Sequence, residues 1–386
     1  MNLQKKLKIF TLLKKLKKKN FFKTSLHNPK FYTNDKKALV KAIDDGWVST
    51  KGPSIKLFEK KLSKYLNCKY CIATNTGTAG LFIALKSLGI KKKNEVILPN
   101  ITFVASANAI LYCDAVPHLV DTNQNDFNIS AEKLQKYLNE IVIFKNGNPF
   151  NKKTGNKIFG VMVVHIYGHM CEMDKIKYIC KIFKLKVIED ATEALGSKYK
   201  NKFISYYSNV AVVSFNGNKI ITSGAGGAIL TNSKKIANKA YKLVTINNIQ
   251  GVMHQDHSDL GYNLRMPALN ANLVSEQLKK IPKLIKYKRN LFKKYSYFFK
   301  VEENEFFDLF SENKNQKSNY WLQVLILKKK YENHLKEIVK IFKNLNISTR
   351  TVWKPLSKIR YLKRFPKSNL NNSLKLYKKA ICIPSN

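Results

Sequence analysis

The sequence predicts an α/β protein: a mostly parallel central sheet sandwiched by helices, with a smaller C-terminal α+β domain. Three observations carry that expectation. From Ser25 to about Arg265, short strand-like runs alternate with helical patterns, the rhythm of strands joined by crossover helices. Residues 160–165 (GVMVVH) are almost wholly apolar, as a strand covered on both faces must be. Beyond Arg265 the chain turns helical and lysine-rich and shows one further strand-like run, at 320–327.

The elements follow in order. Residues 1–24 form a basic extension, in which eight lysines precede Asn20 and the first acid is Asp35. Leu3, Leu7, Phe10, Leu13 and Leu16 recur there at helical spacing. The expectation is a frayed or loosely docked helix; the alternative is an amphipathic helix lying on an anionic membrane surface. Helices are expected at 35–45 and 55–66, separated by a loop at 46–53. A strand at 70–74 leads into a helix at 79–88, a strand at 95–98 into a helix at 104–112, and a strand at 116–120 ends at Asp121. Gly147, Pro149 and Gly155 mark residues 143–157 as a polar hairpin or loop insertion. Further strands are read at 160–165, at 186–188 leading to Glu189 and Asp190, and at 210–215. The large domain is assigned to 25–264 and the small one to 265–386.

Three segments carry chemistry. Asn75-Thr76-Gly77-Thr78-Ala79 lies between a strand and a helix, where glycine admits an anion close to the backbone and the helix start offers free N–H groups. Glu189-Asp190 ends a buried strand, the position at which ligands sit in open α/β sheets. Lys219 follows the strand end Ser214-Phe215 in a loop of small residues and precedes the glycine-rich stretch 224–227. A lysine held near a carbonyl carbon and kept partly neutral forms a Schiff base. In this order the segments supply a phosphate cradle, a partner for a ring nitrogen and a partner for an aldehyde, which is what pyridoxal 5'-phosphate (PLP) requires.

With those residues in place, the chain resembles the nucleotide-sugar aminotransferases of the DegT/StrS type, a branch of the fold-type I PLP enzymes. The similarity runs from Ser25 to Asn386 through WVSTKGPSIKLFEKKL, TGTAGLFIAL, VILPNITFVASANAIL, VHIYGHMCEMDKI, VIEDATEALGS, SFNGNKIITSGAGG and LGYNLRMPALNANL. SFNGNKI and the 143–157 insertion resemble the LegC-like subgroup of legionaminic acid and bacillosamine pathways. The resemblance implies transfer of an amino group from glutamate to a nucleotide-linked 4-keto-6-deoxy sugar, for surface glycan or nonulosonic acid synthesis. UDP-2-acetamido-4-keto-2,6-dideoxyhexose is the expected acceptor and a GDP-linked sugar leading to perosamine the runner-up. It also implies roles for single residues. Lys219 would bond the cofactor aldehyde and shuttle the proton, and Asp190 would keep the pyridine nitrogen protonated. Thr76, Gly77, Thr78 and Ser214 would bind the phosphate, Phe103 would stack on the ring, and Glu193 would lie beside the ring oxygen. Asn263 would reach the phosphate of a neighbouring subunit, which implies a homodimer with shared sites. His165 and Trp353 are expected to line the substrate side.

The chain departs from the family pattern at two places. Trp353-Lys354-Pro355-Leu356 is followed by Ser357 where the family shows histidine, and residues 383–386 stop where relatives continue into a terminal helix, an expected cost to the small domain. A PLP-dependent dehydratase on this fold would carry histidine in place of Lys219.

The charge balance, +45, suggests nucleic acid. Yet sixty-five of the seventy cationic residues are lysines spread along the whole chain, whereas nucleic-acid readers lean on the arginine fork. Nucleic acid is therefore not an expected partner. Cys68 and Cys71 form a lone C-x-x-C without a second pair at zinc spacing and are read as free thiols of a reducing cytoplasm, with no metal site. No run of eighteen apolar residues occurs, and lysines interrupt every apolar stretch near the N-terminus. A membrane span and a signal peptide are not expected.

Overall fold

The computed structural model describes residues 1–124, 126–247 and 256–386. A seven-stranded sheet forms its centre, in the spatial order Tyr70–Thr74, Gly227–Thr231, Val210–Ser214, Lys186–Asp190, Ile158–Val164, Glu95–Pro99 and Val116–Val120. All pairings are parallel except those of Gly227–Thr231, which runs antiparallel to both neighbours. Side chains alternate between faces along each strand. Val161, Val163, Val187 and Val213 enter one apolar cluster, and Val96, Leu98, Met162, Ile188 and Val212 enter another on the opposite face. That double cover is why residues 160–165 read as a continuous apolar run.

The 143–157 insertion is a hairpin of Val142–Lys145 and Asn148–Asn151. It is tied down by the buried Glu95 carboxylate, which accepts from His118 Nδ1 at 2.8 Å, from Asn151 Nδ2 at 2.9 Å and from the Thr154 hydroxyl.

The boundary expected between 264 and 265 is displaced. The helix Ala268–Leu278 places Ala268, Ala271, Val274 and Leu278 in the same cluster as Phe58 and Val213, so the large unit's core continues through it. The helix Ile281–Val301 then bridges the units: Ile281 lies in that cluster, whereas Leu291, Tyr295 and Phe298 lie in the small domain's. The small domain is built on an antiparallel sheet ordered Phe307–Leu309, Gln323–Leu327, Ala380–Ile383 and Arg350–Thr351. Ala380–Ile383 is thus paired on both sides, and Ser385 Oγ accepts from the Gln323 N–H at 2.8 Å.

The basic extension is not frayed. Leu3–Lys18 is a helix whose Ile9, Leu12, Leu13 and Leu16 are buried in the small-domain cluster with Phe298, Ile338 and Phe342. The covered stripe differs from the one read in sequence: Leu3 and Leu7 are 82% and 63% exposed. Leu13 and Leu16 are common to both stripes and are buried in the protein itself.

Candidate active site

The strand Tyr70–Thr74 delivers Thr76 in extended conformation, and the helix Gly77–Leu88 begins directly after it. Thr76 Oγ1 accepts from the Ala79 N–H at 3.0 Å, a side-chain cap that fixes where the helix starts. The N–H groups of Gly77 and Thr78 have no partner within the helix, and they carry the positive end of its dipole. Glycine at 77 is a packing requirement: a Cβ there would lie 2.8 Å from Ser214 Cβ. Ser214 ends its own strand, and its hydroxyl faces the same cavity. Two amides without a partner in the helix, and a hydroxyl, at a helix start form a cradle for a phosphate.

That cavity, of about 240 Å³, also holds Asp190, Glu193 and Lys219. Asp190 is buried at the carboxyl end of Lys186–Asp190. Its Oδ2 accepts from Ser106 Oγ at 2.6 Å and its Oδ1 from the Thr192 N–H at 3.2 Å. Glu193 accepts from the Tyr167 N–H at 2.7 Å and from Trp353 Nε1–H at 3.2 Å. Burial pushes its carboxyl up to about 7, against the opposing pull of the Lys219 charge and those two donors. Lys219 follows the strand Val210–Ser214 through the turn Asn216–Asn218, and its Nζ stands 3.9 Å from Glu193 Oε1. Burial lowers the amine's pKa, and the charges of Glu193 and Asp190 work against that. Phe103, half exposed, and Trp353 close one wall with their ring centroids 5.2 Å apart.

Nine residues named from sequence therefore line one cavity: Thr76, Gly77, Thr78, Phe103, Asp190, Glu193, Ser214, Lys219 and Trp353. Two do not. His165 is fully buried just past the end of the strand Ile158–Val164 and is not among the residues lining the cavity. Its Nδ1 accepts from the Cys171 N–H at 3.2 Å, so its Nε2–H donates to Glu189 at 2.8 Å. It is a satisfied core histidine, and the expectation that it lines the site is corrected. Asn263 is exposed on a segment bridged to Thr245 and does not line the cavity of this chain. Ser357 stays off the wall as well, its N–H donated to Asn100 Oδ1 at 2.9 Å.

Sequence reading missed Ser106, Thr192 and Trp321. Ser106 lies three residues after Phe103 on the next helix, and only the fold brings it to Asp190. Trp321 arrives from the small domain to line the cavity, and nothing in its neighbourhood marks it.

These residues fit PLP: a phosphate cradle at one end, a buried carboxylate, and a buried amine beside it. Comparison with known proteins agrees. The model of the DegT/DnrJ/EryC1/StrS aminotransferase family matches residues 29–386. A GDP-perosamine synthase of Vibrio cholerae is 32% identical over 334 residues, 86% of this chain and 84% of its own. A UDP-4-amino-4,6-dideoxy-N-acetyl-beta-L-altrosamine transaminase of Campylobacter jejuni is 29% identical over 354 residues, 91% and 89% of the two chains. Among solved structures, Helicobacter pylori PseC, an aminotransferase involved in the biosynthesis of pseudoaminic acid, superposes with a TM-score of 0.83 at 24% identity, covering 93% of each chain.

Proposed function

The chain belongs to the DegT/DnrJ/EryC1/StrS aminotransferase family and is a PLP-dependent transaminase acting in nucleotide-sugar chemistry, and we propose that it moves an amino group from glutamate to the keto carbon of a nucleotide-linked 4-keto-6-deoxy sugar. The observation that carries this reading is one cavity shared by Lys219, Asp190 and a capped helix start. When bound, PLP supplies an electron sink for the carbon that loses its proton. The protein's residues do the rest. The amides of Gly77 and Thr78 and the Ser214 hydroxyl take the phosphate. Asp190, its second oxygen held by Ser106, offers a carboxylate to the ring nitrogen. Lys219 would hold the cofactor at its aldehyde and, with its amine free, would take a proton from the donor carbon in one half-reaction and deliver one to the acceptor carbon in the other. Phe103 and Trp353 shield the site from water.

For the acceptor, UDP-2-acetamido-4-keto-2,6-dideoxyhexose remains the first choice, on the resemblance of SFNGNKI and the 143–157 hairpin. A GDP-linked 4-keto-6-deoxymannose is the second reading, favoured by the Vibrio cholerae relative. Purified protein supplied with glutamate and each sugar in turn should form 2-oxoglutarate and the amino sugar with one of them. Inactivity on both would refute the acceptor class, and the yellow colour of the loaded protein should be absent from Lys219→Ala. The exposed Asn263 supports a homodimer in which each chain completes its neighbour's phosphate site.

A further inference from the structure

Lys219 Nζ has no hydrogen-bond acceptor among the described residues; Glu193 Oε1, at 3.9 Å, is beyond hydrogen-bond reach. What the amine does meet is the indole of Trp321, whose ring centroid lies 4.3 Å away. The fold fixes that indole tightly. The Trp321 N–H donates to Asn319 Oδ1 at 2.8 Å, its carbonyl accepts from Lys288 Nζ at 2.9 Å, and Nε1–H donates to the Asn218 carbonyl at 2.6 Å. The last bond ties the ring to the residue immediately before the catalytic lysine. Asn319 in turn donates to the carbonyls of Glu193 and Leu195, both at 3.0 Å. Tyr320, between them, is held at a φ of +48°, a conformation that costs a non-glycine residue energy. A bulky, buried ring on a strained turn is thereby anchored to both the lysine loop and the glutamate segment.

We propose that Trp321 is the positioning residue for Lys219: its face holds the free amine at the cavity and favours the ammonium over the neutral form. A ring quadrupole attracts a cation most strongly where water is excluded. Burial lowers the amine's pKa; among the described residues, Glu193 and Asp190 act against that and, like the ring face, favour the ammonium. His27, whose ring centroid is 6.4 Å from that of Trp321, stays neutral because burial, then the Lys288 and Lys219 charges, hold its pKa well below the usual histidine range. The role lies in the lysine's resting state and is independent of which sugar is the acceptor.

The test is the capture of added PLP by the apoprotein across pH, followed as the yellow band and confirmed by borohydride trapping on the Lys219 peptide. Only the neutral amine attacks the aldehyde. Trp321→Leu should lower the pH midpoint of capture, so that below the midpoint it captures PLP about threefold to thirtyfold faster than wild type. A loss of structure would slow capture instead. Should the leucine variant not fold, Trp321→Phe keeps a weaker ring face and should shift the midpoint partway. Fluorinated tryptophan incorporated into a Trp353→Phe background, where Trp321 is the remaining tryptophan of the cavity, should lower it stepwise with fluorine content. Midpoints that stay at the wild-type value across these forms would overturn the proposal. Absence of any band in wild type would instead strike at the cofactor assignment.

Discussion

Glu193 is the residue whose titration the protein alters most usefully. Its carboxyl, ordinarily near 4.5, is pushed up to about 7 by burial. The folded protein therefore holds this proton more tightly than the unfolded chain does. The stability it contributes is complete below about pH 4.5 and is lost as pH rises through about 7. Glu193→Gln has no such loss. Between about pH 4 and pH 8, urea denaturation of the two apoproteins should show the gap moving in the variant's favour by up to roughly 3 kcal/mol. Parallel pH courses would contradict it. At this scale the sequence was partly legible. Lys219, Asp190 and the threonine–glycine turn sit at strand ends, and strand ends can be located from apolar runs. Ser106 and Trp321 reach the same cavity through helix placement and domain packing, which no local spacing encodes. His165 lies one residue past its strand, where the turn Ile166–Gly168 begins, and the apolar run does not encode which way that turn directs its side chain.

Among the elements, the strands at Tyr70–Thr74 and Val116–Val120 were readable to the residue, since turn signals bound them. Gly227–Thr231 was not, because its first residue closes a glycine-rich stretch that reads as loop. That glycine is required there: a Cβ on Gly227 would lie 2.7 Å from the Gly77 nitrogen. The helix Leu3–Lys18 shows the reverse failing. Its lysines point to a frayed or loosely docked extension, whereas the stripe Ile9, Leu12, Leu13 and Leu16 is buried against the small domain. Each such side chain, once buried, contributes about 1.5–3 kcal/mol. Leu13, fully buried, gives the measurable case. Leu13→Ala should cost about 2–4 kcal/mol in denaturant unfolding. A cost near zero would mean that the helix does not dock in solution.

For the whole molecule the dominant number is the +45 charge. It sets how copies of the chain meet. The proposed homodimer would bring two strongly cationic bodies together, and screening within a Debye length of about 10 Å at 0.1 M salt would relieve their repulsion. Association should therefore tighten as salt rises from about 10 to 150 mM, giving a sedimentation mass near twice 44.4 kDa. Nucleic-acid binding would weaken over the same range. A mass that stays at 44.4 kDa at every salt concentration would remove the shared-site reading of Asn263.

The burial of Leu3–Lys18 in one cluster with Ile338, Phe342, Ile381 and Ile383 sets an order of assembly during synthesis. The helix leaves the ribosome long before the surfaces that cover it exist. Until more than three hundred further residues have been made, its leucine stripe is a sticky flag on a growing chain. The density of lysines beside that stripe then has a use of its own: it keeps the waiting segment in water and off its neighbours.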